Sequence, residues 1–200
     1  MKNRGRFFLF EGIDGSGKTT LSKLVADNLQ SLGHEAKWHR EPTDGPHGRE
    51  LRSFLSGQLL LEPESEWELF QKDREESVTE MILPTLRKGI HIIQDRYFYS
   101  TAAYQGGRSK TPEEILKLSL GFPKPDMIFY LQITPEEAEG RRKKRGMQKE
   151  AFDDLEEQRR IAKNYSIVLP QTTIYLPAKE DLNYLNELAL SHILEFLDNI

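Results

Sequence analysis

The sequence predicts an α/β fold in which helices cover both faces of a parallel sheet. Short apolar segments alternate along the chain with longer segments of helical periodicity, an order typical of strand–helix–strand units. The first of these segments is apolar throughout, as expected of a strand that is covered on both faces. A glycine-rich turn then connects it to an amphipathic helix, and such a turn at a helix N-terminus is typical of a phosphate-binding loop.

Five short segments are predicted as strands: residues 7–10, 36–39, 90–94, 127–133 and 172–176. Helical spacing of apolar residues predicts helices between and after them: residues 18–32, 49–55, 64–88, 152–168 and 181–197. A further helix should begin at Pro135, because Thr134 and Glu137 have the spacing of a capping box. Gly33 should end the first helix, and Pro84 should kink the long third one.

Length and composition restrict the possible functions. The chain has 200 residues and a net charge of −4, which suits a single domain and gives no electrostatic case for binding nucleic acid. It contains no cysteine, which excludes disulfides and thiolate metal sites. No apolar stretch approaches the ~18 residues of a membrane-spanning helix, and the N-terminal apolar run is too short for a signal peptide. We therefore expect one cytoplasmic domain, residues 1–200, without nucleic acid or a membrane as partner.

The glycine-rich turn at residues 12–19 reads GIDGSGKT and fits the phosphate-binding pattern G-x-x-x-x-G-K-[ST]. Its glycines let backbone N–H groups converge on a phosphate chain. Lys18 would contact the β- and γ-phosphates, and the Thr19 hydroxyl would ligate Mg²⁺. A chance match is the alternative, and the strand before and helix after the turn argue against it. The predicted ATP- or GTP-binding residues are Gly12, Ile13, Asp14, Gly15, Ser16, Gly17, Lys18, Thr19 and Thr20.

A second anion site is predicted at the end of the third strand. Asp95 follows this buried strand at the edge where open parallel sheets bind ligands. It also fits the carboxylate that organises Mg²⁺ in enzymes with a phosphate-binding loop. Arg96 beside it is suited to bidentate contact with another phosphate. From these two residues alone, a structural Asp–Arg pair that caps the strand end is an equally good explanation.

The motifs taken together resemble the thymidylate kinase family. The chain reads FEGIDGSGKTT, then REP, LFQKDR and DRYFYSTAAYQGG, in the family's order and spacing over residues 7–107. The resemblance implies a P-loop NTPase with a doubly wound, five-stranded parallel sheet, and transfer of a phosphoryl group from ATP to dTMP. It also implies Mg²⁺ held at Thr19 and Asp95, and a homodimer formed through the long helix. A kinase for another deoxynucleoside monophosphate and a non-catalytic nucleotide-binding protein remain as alternatives.

The resemblance also implies roles on the acceptor side. Phe70 would stack on thymine, although an ordinary core position explains it as well. Arg74, on the same helix face, would reach the base or its phosphate. Arg96 would hold the dTMP phosphate, and Tyr104 would lie against the 2′ position of the sugar unless it is a core tyrosine. The other implied acceptor contacts are Asp14, Arg40, Pro42, Ser100, Thr101 and Gln105.

One segment departs from the family pattern. Family members often read REPGGTPLGE where this chain reads REPTDGPHGRE, so that Thr43 and Asp44 replace two glycines. An extra carboxylate near an anionic acceptor should repel it unless Mg²⁺ or a lysine compensates. This segment is therefore what motivates the alternative of a different monophosphate acceptor.

Five consecutive basic residues at 141–145 end the helix that follows the fourth strand. Such a run is usually a solvated surface or a nucleic-acid patch. Here it lies where a nucleotide kinase carries its lid, and Gly146 offers a hinge, so we predict a basic lid at about residues 141–151.

The resemblance assigns catalytic charge to this lid. Some family members have an arginine where this chain has Gly15, and others supply the charge from the lid instead. The predicted catalytic residues are therefore Lys18, Asp95, Arg96 and one or more of Arg141, Arg142 and Arg145. Ala178 follows the last strand, where the family contacts adenine.

Overall fold

A computed structural model describes residues 4–144, 146 and 151–199 of the chain. At its centre lies a five-stranded sheet in which every pair of neighbours is parallel, in the order β2-β3-β1-β4-β5. The strands are β1 Phe7–Glu11, β2 Ala36–Arg40, β3 His91–Asp95, β4 Met127–Gln132 and β5 Ile174–Pro177. The predicted α/β class is confirmed, and each predicted strand is present with small shifts at its ends.

The central position of β1 in the sheet explains why its first four residues, Phe7 to Phe10, are all apolar. All of its residues are buried, because β3 and β4 pair with its two edges and other elements cover its faces. Phe10 stacks on Phe129 of β4 at 4.8 Å between ring centroids. On its other edge, Phe10 is paired with Asp95 of β3. The carboxyl ends of β1 and β3 therefore lie side by side, which brings the glycine-rich turn next to Asp95.

Nine α-helices are described, and most were predicted. They are α1 Lys18–Ser31, α2 Pro46–Leu55, α3 Pro63–Glu76, α4 Leu83–Arg87, α5 Phe98–Gln105, α6 Pro112–Leu118, α7 Pro135–Lys144, α8 Leu155–Val168 and α9 Leu182–Asp198. The capping box at the start of α7 is confirmed, since the Glu137 N–H donates to Thr134 Oγ1 at 3.3 Å.

The single long helix predicted for residues 64–88 is divided in the structure. A π-helical segment, Ser77–Ile82, separates α3 from α4. Pro84, near the start of α4, has no N–H to offer the carbonyl four residues earlier, and a π turn is one way in which a helix absorbs such a gap. The irregularity expected at Pro84 thus takes the form of the turn that precedes it.

The sequence-based assignment missed two helices, α5 and α6. Every residue of α5 is buried, polar and apolar alike, so this helix has no exposed face and shows no amphipathic period. For α6 a local signal was available, because Thr111 and Glu114 form a capping box around Pro112. Within the described residues, no helix has the length and apolar character needed to cross a bilayer.

Candidate active site

The glycine-rich turn forms a loop that connects β1 to α1 and depends on its glycines. Gly15 and Gly17 have φ of 89° and 97°, in the left-handed region that disfavours other residues. Gly17 is the N-cap of α1. A Cβ at position 15 would also lie only 2.6 Å from the backbone oxygen of Ala138 in α7. This geometry has no room for a side chain at position 15, which agrees with the expectation that the loop itself supplies no arginine.

Lys18 lies at the start of α1 with its side chain buried. Its ammonium group donates to the backbone oxygen of Ile13 at 3.2 Å and lies 3.5 Å from a carboxylate oxygen of Asp14. Burial lowers the pKa of Lys18, the Arg96 charge adds to this effect, and nearby carboxylates oppose it. The amine is thus held against the loop by its contacts with Ile13 and Asp14.

Thr19 and Asp95 meet as the sheet register requires. Thr19 Oγ1 donates to Asp95 Oδ2 at 2.5 Å. The other carboxylate oxygen, Asp95 Oδ1, is buried and has no hydrogen-bond partner among the described residues. A hydroxyl and a carboxylate oxygen are the hard ligands that Mg²⁺ prefers, and protein sites for this ion commonly supply only one or two ligands beside nucleotide phosphates. The pair therefore fits Mg²⁺, although no cluster of three or more acidic or histidine side chains suited to a metal occurs in the described part of the chain.

A second charged cluster links the loop to the residues predicted to bind the acceptor, here called the acceptor side: Arg96, Ser100 and Tyr104. The Arg96 guanidinium donates to Asp14 Oδ1, to Tyr104 Oη at 3.0 Å and to Ser100 Oγ at 3.1 Å. Tyr104 Oη in turn donates to Asp14 Oδ2 at 2.8 Å. Burial alone would raise the pKa of Asp14, but the Arg96 and Lys18 charges outweigh it and hold that pKa well below its usual range. Asp14 is therefore an ionised partner that keeps Arg96 in place.

Arg96 has an unusual backbone conformation for a residue with a side chain. Its φ is 67°, and it is the one described residue other than glycine with a positive φ. The backbone oxygen of Arg96 accepts from Gln94 Nε2 at 2.8 Å, and its guanidinium lies 4.8 Å from the centre of the Tyr104 ring. Left-handed conformations of this kind cost free energy and are common at functional sites. Here the turn directs the side chain back towards the loop.

A cavity of about 220 Å³ lies between the loop and the acceptor side. Its lining includes nine of the predicted site residues: Asp14, Thr19, Arg40, Pro42, Phe70, Asp95, Arg96, Ser100 and Tyr104. The cavity also has four lining residues that sequence reasoning missed: Glu41, Arg52, Leu55 and Phe152. Only Glu41 carried a usable signal, because it lies inside the REP motif between two predicted residues.

Arg74, Thr101 and Gln105 lie behind this lining. Arg74 is buried, and it donates to Glu41 Oε2 at 3.0 Å and to Thr101 Oγ1 at 2.7 Å. Gln105 Nε2 donates to Glu66 Oε1 at 3.0 Å. Burial raises the pKa of Glu41 to about 7, against the opposing charge of Arg74. In the structure Arg74 and Thr101 support Glu41 of the cavity lining, whereas Gln105 bonds to Glu66 outside it, and direct contact of the three with an acceptor stays a prediction.

The two residues that depart from the family pattern have distinct surroundings. Thr43 is buried and donates through Oγ1 to Asp73 Oδ1 at 2.6 Å. Asp44 has 82 % of its side chain exposed and forms ion pairs with Arg40 at 3.3 Å and with Arg52 at 2.7 Å. The compensating charges are therefore two arginines that line the cavity, rather than the lysine or Mg²⁺ considered from the sequence.

The described part of the basic run contacts the loop. Arg142 is buried, donates to the backbone oxygen of Asp14 at 2.5 Å, and forms an ion pair with Asp153 at 3.1 Å. Arg141 donates to the backbone oxygens of Ser16 at 3.4 Å and Ala178 at 2.5 Å. Arg145, the third predicted arginine, lies outside the described residues.

A second, smaller cavity of about 190 Å³ opens beside the start of α1. Four of its lining residues were predicted to contact the donor nucleotide: Ser16, Gly17, Thr20 and Ala178. Arg141 also lines it. The glycine-rich loop thus contributes to both cavities: Asp14 and Thr19 line the larger one, and Ser16 and Gly17 line the smaller one.

Comparison with known proteins assigns this arrangement to a family. The sequence model of the family described as Thymidylate kinase matches residues 10–188. The chain belongs to the thymidylate kinase family. A thymidylate kinase of Leptospira interrogans is 41% identical, over 100% of this chain and 98% of its own length. A thymidylate kinase of Desulfotalea psychrophila is 38% identical over 80% of this chain and 79% of its own length. A probable thymidylate kinase of Archaeoglobus fulgidus is 36% identical over 94% of both chains. The family predicted from the motifs is confirmed.

Proposed function

We propose that this protein transfers the γ-phosphoryl group of ATP to the phosphate of dTMP and releases ADP and dTDP. The observation that carries the proposal is the cavity of about 220 Å³ between the glycine-rich loop and the residues predicted to bind the acceptor. Asp14 and Thr19 reach it from the phosphate-binding loop, and Phe70, Arg96 and Tyr104 reach it from the acceptor side. Membership of the thymidylate kinase family names the reaction that such a cavity serves.

The chemistry asks the protein for positioning and charge rather than for a base. An acceptor phosphate oxygen is already an anion, so no proton has to be removed before it attacks the γ-phosphorus. Lys18 is placed to contact the donor's terminal phosphates, and Arg96 is placed to hold the acceptor in line with them. An incoming phosphate would compete with Asp14 for the Arg96 guanidinium, which already points into the cavity.

Thr19 and Asp95 are the residues we propose to hold Mg²⁺. The ion supplies charge that neutralises the donor phosphates when it is bound. The free buried oxygen of Asp95 and the neighbouring Thr19 hydroxyl support this assignment.

The lid at about residues 141–151 is proposed to supply further positive charge. Arg142 is held in an ion pair with Asp153 and against the Asp14 backbone, while Arg141 lies between the loop and the smaller cavity. We expect alanine at either position to lower kcat more than it weakens ATP binding, because such charges act mainly on the transition state. Steady-state kinetics of each single variant would measure kcat, and calorimetry would measure ATP binding. Full kcat in both variants would leave Arg145 as the remaining candidate.

The surroundings of Asp44 support dTMP over a different acceptor. Its carboxylate is exposed and paired with Arg40 and Arg52, so its charge is neutralised at the rim of the cavity. The reason for doubting dTMP on sequence grounds is thereby reduced. A cytoplasmic homodimer completes the proposal: the cytoplasm is where the enzyme would find ATP, and Trp67 and Met81, which pack against the core, are only partly buried and leave surface for a subunit contact. Light scattering would measure the oligomeric state.

An acceptor panel tests the proposal. ATP and Mg²⁺ are supplied with dTMP, dUMP, dCMP, dAMP and dGMP in turn, and the diphosphates are separated by chromatography. We expect dTDP to form fastest. Lys18→Ala should abolish turnover, whereas Lys23→Ala, which removes the same charge from an exposed position of α1, should not. Faster turnover of another monophosphate would reassign the acceptor, and turnover of none of them would favour a binding protein.

A further inference from the structure

Glu11 is a buried carboxylate that the proposed reaction does not use. It is the last residue of β1, directly before the phosphate-binding loop, and it is fully buried. It forms no ion pair below 4 Å with any described residue, and burial raises its pKa. A carboxylate is costly to bury, so its hydrogen bonds indicate what it contributes.

All of these hydrogen bonds come from the acceptor side and from α8. Glu11 Oε1 accepts from the backbone N–H groups of Tyr97 at 3.0 Å and Ser100 at 3.2 Å. Glu11 Oε2 accepts from Ser100 Oγ at 2.5 Å and from Tyr165 Oη of α8 at 2.9 Å. The Glu11 side chain therefore joins β1, the start of α5 and α8.

The two backbone N–H groups belong to the first turn of α5. Tyr97 is the N-cap residue of this helix, and Ser100 follows three positions later. A helix leaves such N–H groups without an acceptor four residues earlier, and usually the N-cap residue and the residue three positions on satisfy them with their own side chains. Here the Ser100 N–H also donates to the Tyr97 backbone oxygen at 3.0 Å, whereas the Tyr97 N–H bonds to Glu11. The Tyr97 side chain makes no such bond within the described structure. Glu11, which belongs to β1, thus caps the N-terminus of helix α5.

The opposite end of α5 is also held by side chains from elsewhere. Arg160 of α8 donates to the backbone oxygen of Tyr104 at 2.8 Å, and Asn164 donates to those of Ala103 at 2.8 Å and Gly106 at 3.0 Å. With Glu11 at its start, α5 is fixed at both ends by neighbours. The helix itself carries Ser100 and Tyr104, which line the acceptor cavity.

We infer that Glu11 is a positioning residue for the acceptor site: its carboxylate fixes the first turn of α5 relative to the phosphate-binding loop, and thereby places Arg96 and Tyr104. Arg96 directly precedes the N-cap residue and has the positive φ described above. A carboxylate on the first turn is a means of holding such a backbone in place. The inference rests on the proposed function, because it takes the acceptor to be dTMP.

Three variants separate this role from a merely structural one. Glu11→Met has nearly the same size and is at most a weak acceptor, so the Tyr97 N–H is left unpaired, while the Ser100 N–H keeps only its bond to the Tyr97 backbone oxygen. Glu11→Gln keeps an amide oxygen that can accept both N–H groups, and its NH₂ can donate to the two hydroxyls, which can accept as well. Asp126→Asn is the matched control, because Asp126 accepts from the Phe7 N–H at the end of β1 opposite Glu11 and does not line the acceptor cavity.

Calorimetry with dTMP and, separately, with a non-hydrolysable ATP analogue measures the effect. We expect Glu11→Met to weaken dTMP binding by about tenfold or more, since the buried Tyr97 N–H loses its acceptor and the Ser100 and Tyr165 hydroxyls lose theirs on Glu11, and to change binding of the ATP analogue by less than about threefold. Glu11→Gln should stay within about threefold of the wild type for both ligands. Asp126→Asn should leave both affinities near wild type.

Two results would overturn the inference. One is a folded Glu11→Met protein that binds dTMP as the wild type does, and the other is an equal loss for both nucleotides, which would place Glu11 in the scaffold of the donor loop. If Glu11→Met does not fold, Glu11→Asp, whose shorter side chain cannot reach both N–H groups, takes its place with the same expectation. Failure of the proposed function is distinguishable, because the wild type itself would then bind no dTMP.

Discussion

Replacing Arg96 is the perturbation whose result the structure predicts in most detail. Its guanidinium donates to Asp14, Ser100 and Tyr104 at the edge of the acceptor cavity. A guanidinium that grips a phosphate makes two charge-assisted hydrogen bonds, each contributing about 1.5–3 kcal/mol. Because Arg96 gives up its bond to Asp14 when the phosphate arrives, we expect a net loss near 2–3 kcal/mol in Arg96→Ala. That corresponds to dTMP binding weakened by about 30- to 150-fold.

The backbone of Arg96 supplies a second variant as a control. At φ 67° an alanine still carries the Cβ penalty of the left-handed region, which glycine escapes. Arg96→Gly should therefore weaken dTMP binding by the same factor as Arg96→Ala. Its free energy of unfolding should be up to about 1 kcal/mol higher than that of Arg96→Ala.

Calorimetry with dTMP and with an ATP analogue, combined with denaturant unfolding, measures both quantities. The ATP analogue should bind nearly as it does to the wild type. Retained dTMP affinity in either folded variant would refute the assignment of Arg96 to the acceptor. Loss of ATP affinity instead would place Arg96 on the donor side.

Three further predictions follow from single contacts. Gly15→Ala should destabilise the fold by about 1–3 kcal/mol in denaturant unfolding and lower kcat, because its Cβ would meet the Ala138 backbone at a φ of 89°; wild-type stability would contradict the loop geometry. Asp44→Asn should change kcat/KM for dTMP by less than about threefold, since an exposed ion pair contributes little; a large gain in steady-state assays would mean that the carboxylate does repel the acceptor. Tyr104→Ala should narrow the preference for dTMP over ribothymidine monophosphate, and Tyr104→Phe, which keeps the ring, should largely preserve it; an unchanged preference in Tyr104→Ala would place sugar selection elsewhere.

The sequence predicted those parts of the fold whose signal is local. Most strands were visible as apolar runs, and most helices with one exposed face were visible from their period, although the short α6 was missed. The buried helix α5 was not visible, because a helix without an exposed face has no amphipathic period to detect. The division of the long helix was anticipated only as a kink, since Pro84 signals an irregularity without specifying a π turn.

The same distinction applies to the site. The phosphate-binding loop was predicted residue by residue, because all of its parts are contiguous in the chain. Arg52, Leu55 and Phe152 reach the cavity from α2 and from the segment before α8, and no local pattern distinguishes them from other arginines or apolar residues. The capping of α5 by Glu11 likewise joins residues that are 86 and 89 positions apart, so only the folded chain reveals it.

The central claim is that a phosphoryl group moves from ATP to dTMP, and the most direct test follows the group itself. The protein is mixed with Mg²⁺, dTMP and ATP that carries a radiolabel in its γ-phosphate, and the products are separated after a single turnover. We predict that the label appears in dTDP, at its β-phosphate, and that Lys18→Ala leaves it in ATP. Label released as inorganic phosphate, or label that remains in ATP with the folded wild-type protein, would contradict the claim.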